Sequence, residues 1–206
     1  MYARTTTLRG DPQAVDALVA TVRDEVLPGL MELDGCIGLS LLVDRDAGRA
    51  IATSAWETEG AMRASAEAVR PLRDRAAQAF GGTPDIQEWE IAVLHRAHRI
   101  GDGACARVVW TRTDPGNLDR IIDAYRESLM PWWERTEGFC SNSLLVDRQE
   151  GRSSSTVVFE SRDAMARTRD QFTTLREEFV TRMGMEILEV AELDMALAHL
   201  RVPETV

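Results

Sequence analysis

Shifted by about 103 positions, the 206-residue chain superposes on itself. The shift sets Asp11-Pro12 on Asp114-Pro115, Pro28 on Pro131 and Gly35 on Gly138. It also lays LLVDRDAGR (Leu41 to Arg49) on LLVDRQEGR (Leu144 to Arg152), and WETEGAM (Trp56 to Met62) on FESRDAM (Phe159 to Met165). About 24 of about 80 aligned positions are identical and evenly spread. So long a period marks a duplicated domain, because solenoid units run to only about 20–50 residues. The expected organisation is a first repeat over 1–100, a connector over 101–104 and a second repeat over 105–206.

Each copy reads as strand, helix, strand, strand, helix, strand. Asp11 and Asp114 are good helix N-caps, and the proline after each suits the first helical position, where its missing N–H costs nothing. Val15, Leu18, Val19, Val22, Val26 and Leu30 follow at helical spacing, as do Leu118, Ile121, Ile122, Tyr125, Leu129 and Trp133. Pro28 and Pro131 fall late in these helices, so both copies should kink or end there. A hairpin follows, from Cys36–Val43 and Arg49–Glu57, with Gly48 in its turn. A second helix is expected over 58–80, and the last strands over 86–95 and 187–197. The strand CIGLSLLV is apolar at both alternating sets of positions, so the sheet face away from the helices needs a cover. The other copy supplies it most cheaply, because a short tether raises effective concentration. Two separate units that each pair with another chain form the rival arrangement.

Composition narrows the function classes. The formal charge is −10 and there is no basic run, so the electrostatic attraction behind most nucleic-acid binding is missing. No stretch is long and apolar enough to cross a bilayer and no signal-peptide core is visible, so neither nucleic acid nor a membrane is an expected partner and the expected location is the cytoplasm. All 24 basic residues are arginine, which removes lysine Schiff-base chemistry and the P-loop. Cys36, Cys105 and Cys140 lack metal or redox spacing and read as reduced, buried thiols. His95, His98 and His199 have no ligand set around them, so no metal is expected, and His95 and His98 read as a solvated edge.

The late-helix proline followed by an acidic residue and glycine (Pro28 with Asp34-Gly35; Pro131 with Glu137-Gly138), together with the strand ending TSAWETEGAM, resembles the antibiotic biosynthesis monooxygenase family of the dimeric α+β barrel superfamily. The resemblance covers nearly the whole chain, once per copy. It implies an α+β fold in which two ferredoxin-like βαββαβ repeats form an intramolecular dimeric α+β barrel. Activities in the family include cofactor-free oxygenation of quinols and related aromatics, and oxidative haem cleavage. Haem-degrading members resemble one another in a histidine on the second helix. Ser65 and Thr168 stand there in this chain, and neither can ligate iron.

Arg4 and Arg107 occupy equivalent places in the first strands. An ion pair with Asp44 or Asp147 is the structural expectation, and stabilisation of a substrate oxyanion is the functional one. The shared VDR…GR reads as a hairpin clamp of Asp against Arg. The second copy holds Trp110, Tyr125, Trp132, Trp133 and Asn142 where the first has Thr7, Val22, Gly29, Leu30 and Leu39. Core filling is the default for these aromatics, but large aromatics with a buried amide also suit a flat ligand. The candidate site is therefore Arg107 and Asn142 as catalytic residues, with Trp110, Tyr125 and Trp132 against the substrate. The second copy would carry the site and the first would serve as scaffold. The expected function is a cofactor-independent monooxygenase with no resident cofactor, acting on a small hydrophobic or aromatic, quinol-like molecule. The alternative is a non-catalytic, small-ligand-binding or stress-related barrel. A homodimer of whole chains is left open.

Overall fold

The computed structural model describes residues 1–200 and 203–204, with Leu200 described by its backbone only. The first copy runs β1 (Tyr2–Arg9), α1 (Val15–Thr21), α2 (Leu27–Met31), β2 (Cys36–Asp44), β3 (Arg49–Trp56), α3 (Glu59–Ala64), α4 (Ala66–Phe80) and β4 (Asp85–Arg96). The second repeats that order with β5 (Cys105–Arg112), α5 (Leu118–Ala124), α6 (Met130–Glu134), β6 (Phe139–Asp147), β7 (Arg152–Phe159), α7 (Arg162–Arg167), α8 (Arg169–Met183) and β8 (Glu186–Leu200). The fold is α+β, two ferredoxin-like βαββαβ repeats whose strands hydrogen-bond in one closed barrel, in the order β1-β3-β2-β8-β5-β7-β6-β4.

The prolines act as the sequence suggests, through a specific device. An interior proline cannot donate to the carbonyl four residues back, and its ring clashes with it. Each first helix widens into one π turn just ahead, over Val22–Val26 and Tyr125–Leu129. There Leu27 N–H reaches back five residues to the Val22 carbonyl, and Met130 N–H reaches the Tyr125 carbonyl. The second helices differ from the single helix expected over 58–80. Each breaks after two turns at Ser65 or Thr168, whose hydroxyl bonds back to the carbonyl of Met62 (2.7 Å) or Met165 (2.8 Å). Such back-bonding offers the chain an alternative to the helical ladder.

The chain divides into two compact units that do not coincide with the repeats. Of the described residues, the first unit holds Met1–Trp89 and Asp194–Leu200, and the second holds Glu90–Leu193 with Pro203 and Glu204. The cause lies in the last strand of each copy, which is longer than one pairing needs. In the first unit, the end of β8 pairs antiparallel with β2, from Val43 opposite Asp194 to Gly38 opposite Leu200. In the second unit, the end of β4 pairs with β6, from Glu90 opposite Val146 to Arg96 opposite Ser141. Each β2-type edge is thereby closed by a strand from the other repeat. The core of the first unit packs Leu18, Leu30, Leu39, Val43, Trp56 and Phe80 between helices and sheet. The second unit has two clusters, one around Ile121, Tyr125 and Phe179 and one around Trp133, Phe139, Phe159 and Phe172.

Asp147 Oδ2 meets Arg152 at 2.9 Å across the second hairpin, the clamp read from VDR…GR, while Asp147 Oδ1 accepts the turn N–H groups of Gln149 and Glu150. The turn needs a glycine. Gly151 has φ +63°, and a Cβ there would lie 2.1 Å from the Thr113 carbonyl oxygen. Gly184, with φ +67°, has nothing within 4 Å of that position. Gly151→Ala is expected to cost about 2–4 kcal/mol, combining left-handed strain with a backbone clash, and Gly184→Ala about 1 kcal/mol. Urea unfolding of the two variants measures the difference, and equal losses would contradict the clash.

Candidate functional site

Arg4 and Arg107 are buried in their units at 3% and 2% exposure, so each needs a full set of acceptors. Arg107 donates through Nε and Nη2 to Glu192 Oε1 at 3.1 and 2.8 Å, through Nη2 to the Met165 carbonyl at 3.1 Å, and through Nη1 to Thr168 Oγ1 at 3.1 Å. Arg4 repeats the pattern with Glu88, the Met62 carbonyl and Ser65. The expectation of an ion pair is met, but the partners are corrected. They are Glu88 and Glu192 on the last strands, not Asp44 and Asp147, which are held in their hairpin turns. Sequence spacing missed them because a strand of the opposite end of the repeat brings them in. Burial pushes the Glu192 carboxyl up, but hydrogen bonds from Arg107 and Arg169 outweigh it and hold the group below the ordinary carboxylate range. The helix break thus has a purpose: the hydroxyl at the position of the haem-degraders' histidine receives the arginine.

Beside each arginine lies a partly open cavity of about 50 Å³, between helices and sheet. The two sit in the same place of the two copies, so the cavity is not confined to the second copy, where the sequence placed it. Their walls differ. In the second copy the wall includes Tyr125, Trp133, Phe172 and Phe179, with the hydroxyls of Thr111, Ser153 and Ser155. In the first the corresponding residues are Val22, Leu30, Val69 and Ala76. A volume this small takes a few waters, since each needs about 10–15 Å³ by this kind of measure, or the leading part of a larger ligand.

Tyr125 sits at the inner wall of the second cavity. Its hydroxyl is 2.9 Å from Ser155 Oγ, and Asn142 Nδ2 donates to it at 3.5 Å. Asn142 is 1% exposed and its Oδ1 has no hydrogen-bond partner among the described residues. An unpaired buried amide oxygen costs about 1–3 kcal/mol, and the first copy avoids that cost with Leu39. Burial pushes the Tyr125 phenol up to about 12, against smaller lowering effects of Ser155 and Asn142. It is therefore a neutral donor at ordinary pH.

The structure brings together some of the expected site residues and separates others. Tyr125 lines the cavity and Asn142 touches it from behind. Arg107 lies next door, its Cζ 4.6 Å from the centroid of the Phe172 ring, which itself lines the cavity. Trp110 alternates with the lining residues Val109 and Thr111, so it leaves the opposite face of β5. Trp132 packs edge-on against Trp133, with centroids 4.5 Å apart, and it is Trp133 that reaches the wall. His95 is not on a solvated edge. It stacks near Phe139 and lies 3.2 Å from Glu134 and 3.4 Å from Glu204.

The residue missed by sequence reasoning is Arg176. It lines the second cavity on α8, its Cζ is 5.4 Å from the Phe172 centroid and its Nη2 is 3.8 Å from Glu177 Oε1, while its buried Nε has no acceptor among the described residues. Arg73 is its counterpart in the first cavity. A signal existed: this arginine is identical in the two copies, one residue after the shared Leu72 and Leu175.

Comparison with known proteins agrees with this architecture. Residues 1–69 match the family model for antibiotic biosynthesis monooxygenase. The uncharacterized Mycobacterium tuberculosis proteins Rv2557 and Rv2558 are 52% and 53% identical to this chain over 206 and 207 residues, covering all of it and 92% and 88% of their own lengths. The crystal structure of a candidate monooxygenase from Fusobacterium nucleatum superposes with a TM-score of 0.71 at 13% identity, over 97% of this chain and 94% of that one, a likeness of fold.

Because the Tyr125 phenol is raised in the folded state, its contribution to stability is complete below pH 10 and is lost as pH rises through about 12. Titration of phenolate absorbance should show a late ionisation that Tyr125→Phe removes, and a Tyr125 step near 10 in the folded protein would refute its burial. The chain belongs to one family with its two mycobacterial relatives, and it is antibiotic biosynthesis monooxygenase-like: the family's domain is matched over residues 1–69 and the second half repeats the same βαββαβ unit.

Proposed function

We propose that the chain is a cofactor-independent monooxygenase whose second cavity holds the anion of a small aromatic, quinol-like molecule. The observation that carries this reading is Arg176, a cation at an aromatic-lined wall with a buried Nε–H that no described residue accepts. A guanidinium in a water-poor site favours charge far more strongly than in bulk water. It would stabilise a phenolate or enolate oxygen, while the aromatic wall of Phe172 and Trp133 takes the ring. Tyr125, steadied by Ser155, and Asn142 present neutral polar atoms at the inner end. Arg107 acts as a positioning residue, through Phe172.

The chemistry needs no electron donor beyond the substrate. The ionised ring gives an electron to dioxygen, the two radicals combine to form a C–O bond, and the resulting peroxide loses water as its O–O bond breaks. One oxygen atom stays on the oxidised ring as a carbonyl or hydroxyl and the other leaves in water. Among the described residues no carboxylate or histidine lines the cavity, so the substrate would ionise by its own acidity, assisted by Arg176. The same observation favours a second reading, in which the cavity binds such a molecule without turning it over.

Oxygen uptake with monocyclic hydroquinones and with anthrones separates the two. The expected result is turnover of the smaller rings, rising with pH as the substrate ionises. Arg176→Gln should lower kcat/KM by about 10–100-fold, the loss of a charge-assisted hydrogen bond of roughly 1.5–3 kcal/mol. Anaerobic binding without any turnover selects the binding reading, and an unchanged Arg176→Gln rate contradicts the assigned role.

A further inference from the structure

We propose that the cavity of the first copy is a second ligand site, independent of the first, which takes a short aliphatic carboxylate docked on Arg73. The cavity has the volume and place of its counterpart but a different chemistry. Its wall is built from Leu18, Val22, Leu30, Leu41, Val69 and Ala76, with no aromatic ring on which a flat ligand could stack. Val69 stands where the second copy has Phe172, and this smaller side chain leaves Arg4 on the cavity wall as well. Two guanidinium groups therefore face one apolar space of about 50 Å³.

Only one of the two is committed. Arg4 is balanced by Glu88 at 2.9 Å and spends further N–H groups on the Met62 carbonyl and Ser65. Arg73 is half-buried and makes no hydrogen bond or ion pair among the described residues; its neighbour Asp74 acts only through space. Burial, followed by the like charge of Arg4, lowers the Arg73 pKa, so an incoming anion relieves both penalties. Ser54 Oγ cannot substitute for that anion, because it already donates to the Arg4 carbonyl and accepts from Trp56 Nε1. A planar guanidinium fork matches a carboxylate, and the aliphatic wall matches a saturated tail. A chain of a few carbons is the size that fits.

Isothermal titration of the full chain with hexanoate, with hexanol as the uncharged control, tests the site. Hexanoate is expected to bind the wild type. Arg73→Gln, at a half-exposed helix position, should keep the fold and weaken hexanoate at least tenfold, to about the level of hexanol. Arg176→Gln should leave hexanoate affinity within twofold. Failure of hexanoate to bind, equal affinity for hexanol, or loss through Arg176→Gln with Arg73→Gln unaffected would each overturn the proposal. Because oxygen uptake depends on Arg176 and hexanoate on Arg73, either reading can fail while the other stands.

Discussion

An unpaired strand edge is the constraint from which the rest of this structure follows. A βαββαβ repeat ends its sheet on its second strand, and that strand exposes a row of N–H and C=O groups able to recruit another chain. Here β2 is apolar on both faces and β6 is buried over most of its length, so either would make a hazardous edge. The duplication resolves this with two overlong strands. The first halves of β4 and β8 stay with their own copies, placing Glu88 and Glu192 on the buried arginines, and the second halves close the β6 and β2 edges. The compact units are therefore cut across the repeats, and neither repeat holds a complete unit.

Much of this was legible in the sequence because it was written twice. Pro28 with Pro131, Gly35 with Gly138 and the VDR…GR hairpins fixed the elements and their order through local chemistry: a missing N–H, a positive φ, a cross-strand clamp. The crossing of β4 and β8 left a weaker trace. It shows only as strands longer than one pairing needs, and the partner of an extra strand half is a tertiary choice that no local propensity encodes. The partners of Arg4 and Arg107 were misread for the same reason. Asp44 and Asp147 are near in sequence, whereas Glu88 and Glu192 arrive from the far end of the repeat.

The site was legible in proportion to how strongly the copies had diverged. Tyr125 and Asn142 stand out against Val22 and Leu39, and the structure joins them at one cavity. Trp110 and Trp132 stand out equally, yet strand alternation sends one to the opposite face and helix rotation leaves the other behind Trp133. Arg73 and Arg176 escaped notice because they do not differ at all. A contrast between copies finds what one copy gained, and it passes over what both kept. The two cavities accordingly share a cation, Arg73 or Arg176, and differ in their walls.

Amide hydrogen exchange along β2 tests the strand exchange most directly. From Gly38 to Val43 the strand lies between β3 on one side and the end of β8 on the other, with one irregularity at Leu41/Leu42, and its amides outside that irregularity should exchange only through global unfolding. Rapid exchange at alternate residues of this stretch, the pattern of a strand with one open edge, would contradict the account.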